Sequence, residues 1–166
     1  MPKILIHRVC NQWPPIDKTV RRAAKAALAK HDLPKKWEMG IRLTDDAEIT
    51  HLNRHYRNRD QATNVLSFAM HEGEQAPHTP SRLLGDLVLA FETVNREAVE
   101  RNIPLEQHLA HLVVHGVLHL LGYDHARSPT AARKQERREI TIMARLGMEN
   151  PYRIKSQGSA LDPPGG

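Results

Sequence analysis

The stretch from His108 to His125, HLAHLVVHGVLHLLGYDH, constrains the fold of this chain more than any other segment and contains five of its 11 histidines. Residues three or four positions apart share one face of an α-helix, so the four histidines from His108 to His119 are predicted to line one stripe. Leucines and valines occupy the opposite face and can bury the helix. Gly122 suits the left-handed conformation that ends a helix, after which the chain can bring His125 back toward the stripe.

A metal site is predicted at His115, His119 and His125, which have the spacing H-x-x-x-H-x-x-G-x-x-H. Two imidazoles one helical turn apart and a third beyond the glycine can converge on one ion. Three imidazoles leave a tetrahedral zinc with one open position, which is typical of catalytic sites. One zinc ion per chain is therefore predicted, although nickel, cobalt and copper accept the same ligands.

The spacing matches the metzincin pattern except at Gly116, which stands where those peptidases have a general-base glutamate. The substitution removes the proton acceptor that peptide hydrolysis needs. The glycine is also expected to leave space beside the metal for a bulky substrate.

Three further residues of the stretch are candidates for supporting roles. His111 is predicted to orient the site or bind substrate, and His108 is predicted to be a surface residue. Asp124 has two readings that the sequence leaves open: it holds a ligand histidine in one tautomer, or it caps the turn.

Arginines cluster at Arg54, Arg57 and Arg59, close to Asp60. A guanidinium grips phosphate oxygens through two parallel hydrogen bonds, so this segment is a candidate clamp for a nucleic-acid backbone. A surface ion-pair patch of little energetic value is the other reading, and this segment alone does not decide between them. Together with a metal ion, arginines favour phosphoryl chemistry, in which positive charge stabilises the phosphate oxygens.

Length and charge narrow the class of protein. A chain of 166 residues is predicted to form one domain. Its net charge of +5 and pI of about 9.6 favour a polyanionic partner such as nucleic acid. Cys10 is the only cysteine, which excludes an internal disulfide and a cysteine-rich zinc module. No signal peptide or membrane span is recognisable, so a cytoplasmic location is expected.

Hydrophobic patterning predicts an α/β domain over residues 1–149 with a small sheet, followed by a disordered tail over 150–166. An irregular loop is expected from Met70 to Arg82. The last helix is predicted to carry a basic stripe, interleaved with Glu136 and Glu139, that is formed by the pairs Arg133–Arg137 and Lys134–Arg138. The predicted strands are Lys3–Val9, Trp37–Leu43, Asn64–Phe68 and Gly85–Phe91. Helices are predicted at Asp17–Lys30, Glu92–Arg101 and Thr130–Leu146, and the histidine helix is predicted to begin at Pro104. A further helix is predicted to be capped by Thr44-Asp45, with Ala47 at its third position, and to end near Tyr56.

Three blocks of sequence, HGVLHLLGYDH at His115–His125, NRHYRNRDQATNVLSF at Asn53–Phe68 and LGDLVLAF at Leu84–Phe91, resemble the YbeY family of metal-dependent endoribonucleases, also called rRNA maturation factors. The resemblance implies a single α/β domain with a four-stranded mixed sheet, about five or six helices and a zincin-like metal site. It also implies zinc bound by the three predicted histidines and an arginine important for RNA cleavage at Arg57. Ala62 departs from the family pattern, which has proline before Thr63.

Family members act on single-stranded RNA, take part in maturing the 3′ end of small-subunit rRNA and in ribosome quality control, and associate with ribosomal proteins. The residues and the resemblance together predict a zinc-dependent endoribonuclease with His115, His119 and His125 as metal ligands and Arg57 on the scissile phosphate. The residues alone give Arg59, His111 and Asp124 as supporting candidates. Two alternatives remain open: a metzincin-like metallopeptidase, and a ribosome-assembly factor with a structural metal.

Overall fold

The strand Leu83–Ala90 lies inside a four-stranded sheet whose order is β1-β2-β4-β3. The structure is a computed structural model, and it describes residues 3–31, 33, 37–69 and 83–153. The strands are β1 (Lys3–Arg8), β2 (Glu38–Thr44), β3 (Val65–Ala69) and β4 (Leu83–Ala90). The helices are α1 (Asp17–Leu28), α2 (Asp46–Arg57), α3 (Phe91–Arg101), α4 (Leu105–Leu120) and α5 (Pro129–Arg145).

The sheet is mixed, because β1, β2 and β4 run parallel whereas β3 pairs antiparallel with β4. Strand β4 reads as an almost unbroken apolar run because its side chains are buried on both faces of the sheet. The α/β class, the four-stranded mixed sheet and the number of helices predicted from the sequence are confirmed.

Adjacent residues of β3 show how the helices cover the two faces, since successive side chains of a strand point in opposite directions. Leu66 packs with Ile49 of α2, whereas the hydroxyl of Ser67 faces the carbonyl of Gly116 on α4. Helix α1 packs beside α4 in the larger core, to which α5 contributes Ile142 and Met143. Burying each large apolar side chain contributes about 1.5–3 kcal/mol, so this packing fixes the position of α4.

The start of α2 differs from the prediction by one residue. Asp45 is the N-cap, and its Oδ1 accepts a hydrogen bond of 2.9 Å from the backbone N–H of Glu48. The third helical position is therefore Glu48, and its assignment to Ala47 was wrong. The carboxylate of Glu48 does not reach back to the cap, because it forms two hydrogen bonds with Arg42.

Two predicted segments fall wholly or partly outside the described residues. The predicted irregular loop, Met70 to Arg82, lies outside them, as do residues 154–166 of the predicted tail. The first four residues of that tail are described, and Pro151 among them is buried. Within the described ranges, none of the helices has the length and apolar character needed to cross a bilayer.

Candidate functional site

The three predicted metal ligands, which belong to α4 and to the turn that follows it, lie near the C-terminal end of the helix. Helix α4 ends at Leu120, and Gly122 adopts φ +105°, a conformation that favours glycine. The reversed chain brings the ring of His125 to 5.0 Å from that of His115 and 6.5 Å from that of His119, measured between centroids. The chain therefore reverses after Gly122 and brings His125 back toward His115, as predicted.

The three rings fit a zinc ion by residue type and, in part, by spacing. A zinc–nitrogen distance of about 2.0 Å with tetrahedral angles puts two ligand rings about 5 Å apart. The His115–His125 pair has this separation, whereas His119 stands further from His125. Among the described residues, no group of three or more His, Cys, Asp or Glu side chains could hold a metal ion as arranged. Closing the site therefore requires the rings of His119 and His125 to come nearer to each other.

A buried carboxylate on α5 anchors the histidine stripe. Glu139 is completely buried, and its Oε2 lies 2.8 Å from Nδ1 of His115 while its Oε1 lies 2.6 Å from Nε2 of His111. Burial by itself raises the pKa of Glu139, but the hydrogen bonds from His111 and then His115 outweigh it and lower the pKa to about 2. Glu139 is therefore ionised at neutral pH and accepts from both imidazoles.

The proton arrangement that follows suits metal binding. If Nδ1 of His115 donates to Glu139, its Nε2 keeps the lone pair that a metal needs. A carboxylate that holds a ligand histidine in this way fixes the tautomer and the orientation of the ring. The side-chain N–H of Gln135, also buried, donates instead to the carbonyl oxygen of His115 at 3.4 Å, because an Nδ1 that donates to Glu139 cannot accept.

The interpretation of Glu139 as part of the charged stripe on α5 was wrong, because its side chain is completely buried. The missed signal is the spacing of Gln135, Glu139, Ile142 and Met143, which places two polar residues on the apolar face of α5. A glutamate on a buried face requires hydrogen-bond partners, so its position pointed to donors elsewhere in the fold.

The prediction that His108 lies on the surface was also wrong. His108 is 2% exposed, and its Nε2 lies 2.8 Å from Oε1 of Glu97 on α3. Burial raises the pKa of Glu97, but hydrogen bonds from His108 and Asn64 outweigh it and lower the pKa. His108 therefore ties α4 to α3 and takes no part in the candidate metal site.

His111 and Asp124 occupy positions beside the site. His111 is nearly buried, and burial lowers its pKa despite the opposing effect of Glu139. Its contact with Glu139 suits an orienting role, which stays a prediction. Oδ1 of Asp124 accepts a hydrogen bond of 3.1 Å from the backbone of Ala126, so this carboxylate caps the turn that contains His125.

Arg57 ends α2 beside β3, which is the last strand of the sheet in the described part of the chain. Its Nη2 donates to the carbonyl oxygen of Ser67 at 2.7 Å, and its guanidinium lies 5.3 Å from the centroid of the Phe68 ring. The hydroxyl of Ser67 lies 3.5 Å from the carbonyl oxygen of Gly116, next to His115. One strand residue thus connects the arginine to the histidine helix.

The other two arginines of the cluster are oriented differently. Arg54 forms an exposed ion pair of 3.8 Å with Asp60, which is worth little energy. Arg59 is exposed, and its backbone N–H donates to the carbonyl oxygen of Asn53. Only Arg57 of the three is connected through Ser67 to α4.

Gly116 does not open a space beside the metal site, contrary to the expectation. A Cβ built at this position would lie 2.7 Å from Cδ2 of Leu87 and 3.3 Å from Oγ of Ser67. Leu87 is fully buried in the sheet, so it can yield only by disturbing the core. The glycine is required because α4 packs closely against β3 and β4.

Comparison with solved structures first defines the class of protein. A Thermotoga maritima protein, known from its solution structure, is similar over 100% of this chain and 99% of its own, with a TM-score of 0.50 and 23% identity. This likeness shows the fold alone. The α/β architecture with its mixed sheet is thus shared with a protein of known structure.

Comparison with protein families then identifies the chain more closely. The model of the family described as endoribonuclease YbeY matches residues 8–147. A Magnetococcus marinus relative of that name is 54% identical over 121 residues, which cover 69% of this chain and 82% of the relative. A Paramagnetospirillum magneticum relative of that name is 46% identical over 157 residues, covering 90% and 95%. The chain belongs to the endoribonuclease YbeY family, a family of RNA-cleaving enzymes.

Proposed function

We propose that the protein is a zinc-dependent endoribonuclease that cuts single-stranded RNA in maturing the 3′ end of small-subunit rRNA and in ribosome quality control. The small ribosomal subunit and its proteins are its partners, and the cytoplasm is its location. The names of the relatives and the net charge of +5 support an RNA substrate. The observation that carries the proposal is the cluster of His115, His119 and His125, with His115 anchored by a buried carboxylate.

The three histidines would hold the ion, and each has a defined place in the fold. His115 is oriented from α5, His119 lies in the last turn of α4, and His125 lies within the turn that Asp124 caps. When bound, zinc acts as a Lewis acid toward phosphate oxygens and lowers the pKa of water. Imidazole ligands suit zinc, and a set of three leaves a position open for substrate.

Arg57 is proposed to hold the scissile phosphate. An arginine side chain has five N–H donors, and one hydrogen bond to Ser67 fixes the guanidinium without using the others. The remaining donors can take up charge that develops on phosphate oxygens during cleavage. Because Arg57 is exposed and its position is fixed, it can do so without first ordering a flexible side chain.

Peptidase activity is less well supported at this site than nuclease activity. The metzincin-like reading needs a glutamate at position 116, where even a Cβ would come within 2.7 Å of Leu87. No carboxylate therefore replaces Gly116 without repacking the contact between α4 and β4. Phosphodiester cleavage relies on the cation and the arginine, and both are available to the proposed site.

The proposal is tested by metal analysis combined with assays on single-stranded RNA and casein. Wild-type protein is expected to contain about one zinc per chain and to cleave RNA. The His115→Ala variant should lose both properties, whereas Arg57→Ala should keep the metal and cleave RNA at least about 10-fold more slowly. Arg54→Ala is the matched control, since it removes an exposed arginine of the same helix and should cleave normally.

Three results would contradict the proposal. Casein cleavage without RNA cleavage favours the peptidase. RNA cleavage by a folded, metal-free His115→Ala variant assigns the activity to another site or to a contaminant. Zinc-loaded wild-type protein that binds the small subunit without cutting RNA favours the assembly factor.

A further inference from the structure

The turn at residues 150–153 is fastened to the body of the protein by several polar contacts. Nη2 of Arg101, the last residue of α3, donates to the carbonyl oxygen of Pro151 at 2.7 Å. Within the turn, Oδ1 of Asn150 accepts from the backbone of Tyr152 at 2.8 Å, and its carbonyl oxygen accepts from Arg153 at 3.2 Å. The buried ring of Pro151 completes the attachment. This segment is therefore a defined part of the fold.

The side chain of Tyr152 reaches from this turn to the buried carboxylate. Its hydroxyl donates to Oε1 of Glu139 at 2.5 Å, and its ring lies edge-on to His111, with centroids 5.3 Å apart and planes at 84°. Burial and the neighbouring Glu139 raise the pKa of Tyr152 well above its ordinary value, so the hydroxyl keeps its proton. The contact is thus a hydrogen bond from a neutral donor to an ionised acceptor, the stronger kind.

The donors on Glu139 divide between its two oxygens. Tyr152 and His111 both lie on Oε1, while Oε2 faces His115. A carboxylate held by two donors on one oxygen cannot rotate freely about its Cγ–Cδ bond. Its second oxygen therefore stays directed at Nδ1 of His115.

We propose that Tyr152 is a positioning residue for the metal site, acting through Glu139 on the ligand His115. The inference rests on the proposed function, because it takes His115 to be a zinc ligand. Direct hydrogen-bond partners of ligand histidines typically change metal affinity by about 10–100-fold. Tyr152 acts one residue further away, so loss of its hydroxyl should weaken zinc binding by a smaller factor, about 3- to 10-fold.

The test uses the full chain with the Tyr152→Phe substitution, which removes the hydroxyl and keeps the ring against His111. The zinc dissociation constant is measured by competition with a chelator, and the absorption spectrum of the Co²⁺-loaded protein reports ligand geometry. Thermal unfolding of the metal-free protein is measured in parallel. Tyr56→Phe is the control, because Tyr56 is exposed on α2 and its ring contacts those of His55 and Phe68, not those of the proposed ligands.

The expected result is weaker zinc binding and an altered Co²⁺ spectrum in Tyr152→Phe, with wild-type values in Tyr56→Phe. Wild-type zinc affinity and an unchanged spectrum in Tyr152→Phe overturn the inference and leave the proposed function intact. A drop in affinity that is matched by Tyr56→Phe also overturns it. Wild-type protein that binds zinc no better than His115→Ala overturns the metal assignment itself, which separates the two failures.

Discussion

Oε2 of Glu139 lies 2.8 Å from Nδ1 of His115, although the two residues belong to different helices and are 24 positions apart. The contact joins the one fully buried acidic side chain in the described part of the chain to the first histidine of the candidate metal site. Burying an ionised carboxylate is costly unless donors surround it, and here His111, His115 and Tyr152 supply them. The packing of α5 on α4 is thereby coupled to the orientation of the site.

Replacing Glu139 by glutamine is expected to weaken zinc binding by about 10–100-fold. The amide offers one acceptor oxygen in place of two, so at least one of the imidazoles loses its partner. The unpaired donors should also lower the free energy of unfolding by about 1–3 kcal/mol. Chelator competition and denaturant unfolding measure the two effects.

The matched control is Glu136→Gln, one turn away on α5 and without a hydrogen bond to the described histidines. It should leave zinc affinity unchanged. Equal zinc affinities for Glu139→Gln and wild type would show that the carboxylate does not support the site.

The substitution Gly116→Ala is expected to destabilise the protein despite the better helix propensity of alanine. Propensity favours alanine by about 1 kcal/mol, but overpacking a core typically costs about 1–3 kcal/mol. The added Cβ would meet Leu87 at 2.7 Å, so we expect overpacking to win and the free energy of unfolding to fall by about 1–2 kcal/mol. Denaturant unfolding checks this.

A double-mutant cycle identifies the cause of that loss. In a Leu87→Ala background the clashing methyl groups are absent, so adding Gly116→Ala should cost little or even stabilise the helix. Additive effects of the two substitutions would mean that Leu87 is not what excludes a side chain at position 116.

The substitution Arg57→Lys should reduce RNA cleavage almost as strongly as Arg57→Ala. A lysine keeps the charge but presents a point donor, which cannot hold the Ser67 carbonyl and a phosphate in the planar geometry of a guanidinium. We expect a loss of at least about 10-fold in kcat/KM, which corresponds to about 1.4 kcal/mol. Arg54→Lys is the control variant. Full activity in Arg57→Lys would show that Arg57 contributes only its positive charge.

The Glu97–His108 pair should make stability depend on acidic pH. Burial raises the pKa of Glu97, but hydrogen bonds from His108 and Asn64 lower it below its value of 4.5 in the unfolded chain. The pair therefore contributes stability above about pH 4.5, and that contribution is lost as the pH falls through the folded-state pKa.

The Glu97→Gln variant isolates this contribution. Its free energy of unfolding should be lower than that of wild type near pH 6, and the difference should shrink as the pH falls below 4.5. Denaturant unfolding at several pH values measures it. A difference that is constant or grows toward low pH would contradict the assignment.

Local patterns were sufficient to predict most of the elements and the return of His125 toward His115. Strand β4 is recognisable from its apolar run, and the return of His125 follows from Gly122 and the helical period of α4. These features depend on residues near one another in the chain, which a reading of the sequence can compare directly.

Contacts between distant elements could not be predicted in the same way. From the sequence, Gly116 was expected to leave open space beside the metal. Leu87, which fills that space, belongs to another element, and its distance from Gly116 depends on how α4 packs on the sheet. Likewise, Glu139 resembled its charged neighbours on α5, and only the tertiary packing shows that it faces His111 and His115. The role of Arg57 remains a prediction supported by its position.

The attachment of Glu139 and Tyr152 to the histidines has a consequence for the order of events during translation. All three proposed ligands leave the ribosome before the carboxylate at 139 and the phenol at 152, because synthesis proceeds from the N-terminus. A nascent chain that has just emerged through His125 therefore has its imidazoles but lacks the groups that orient them. Competence for tight zinc capture should arise only when the chain has emerged through Tyr152.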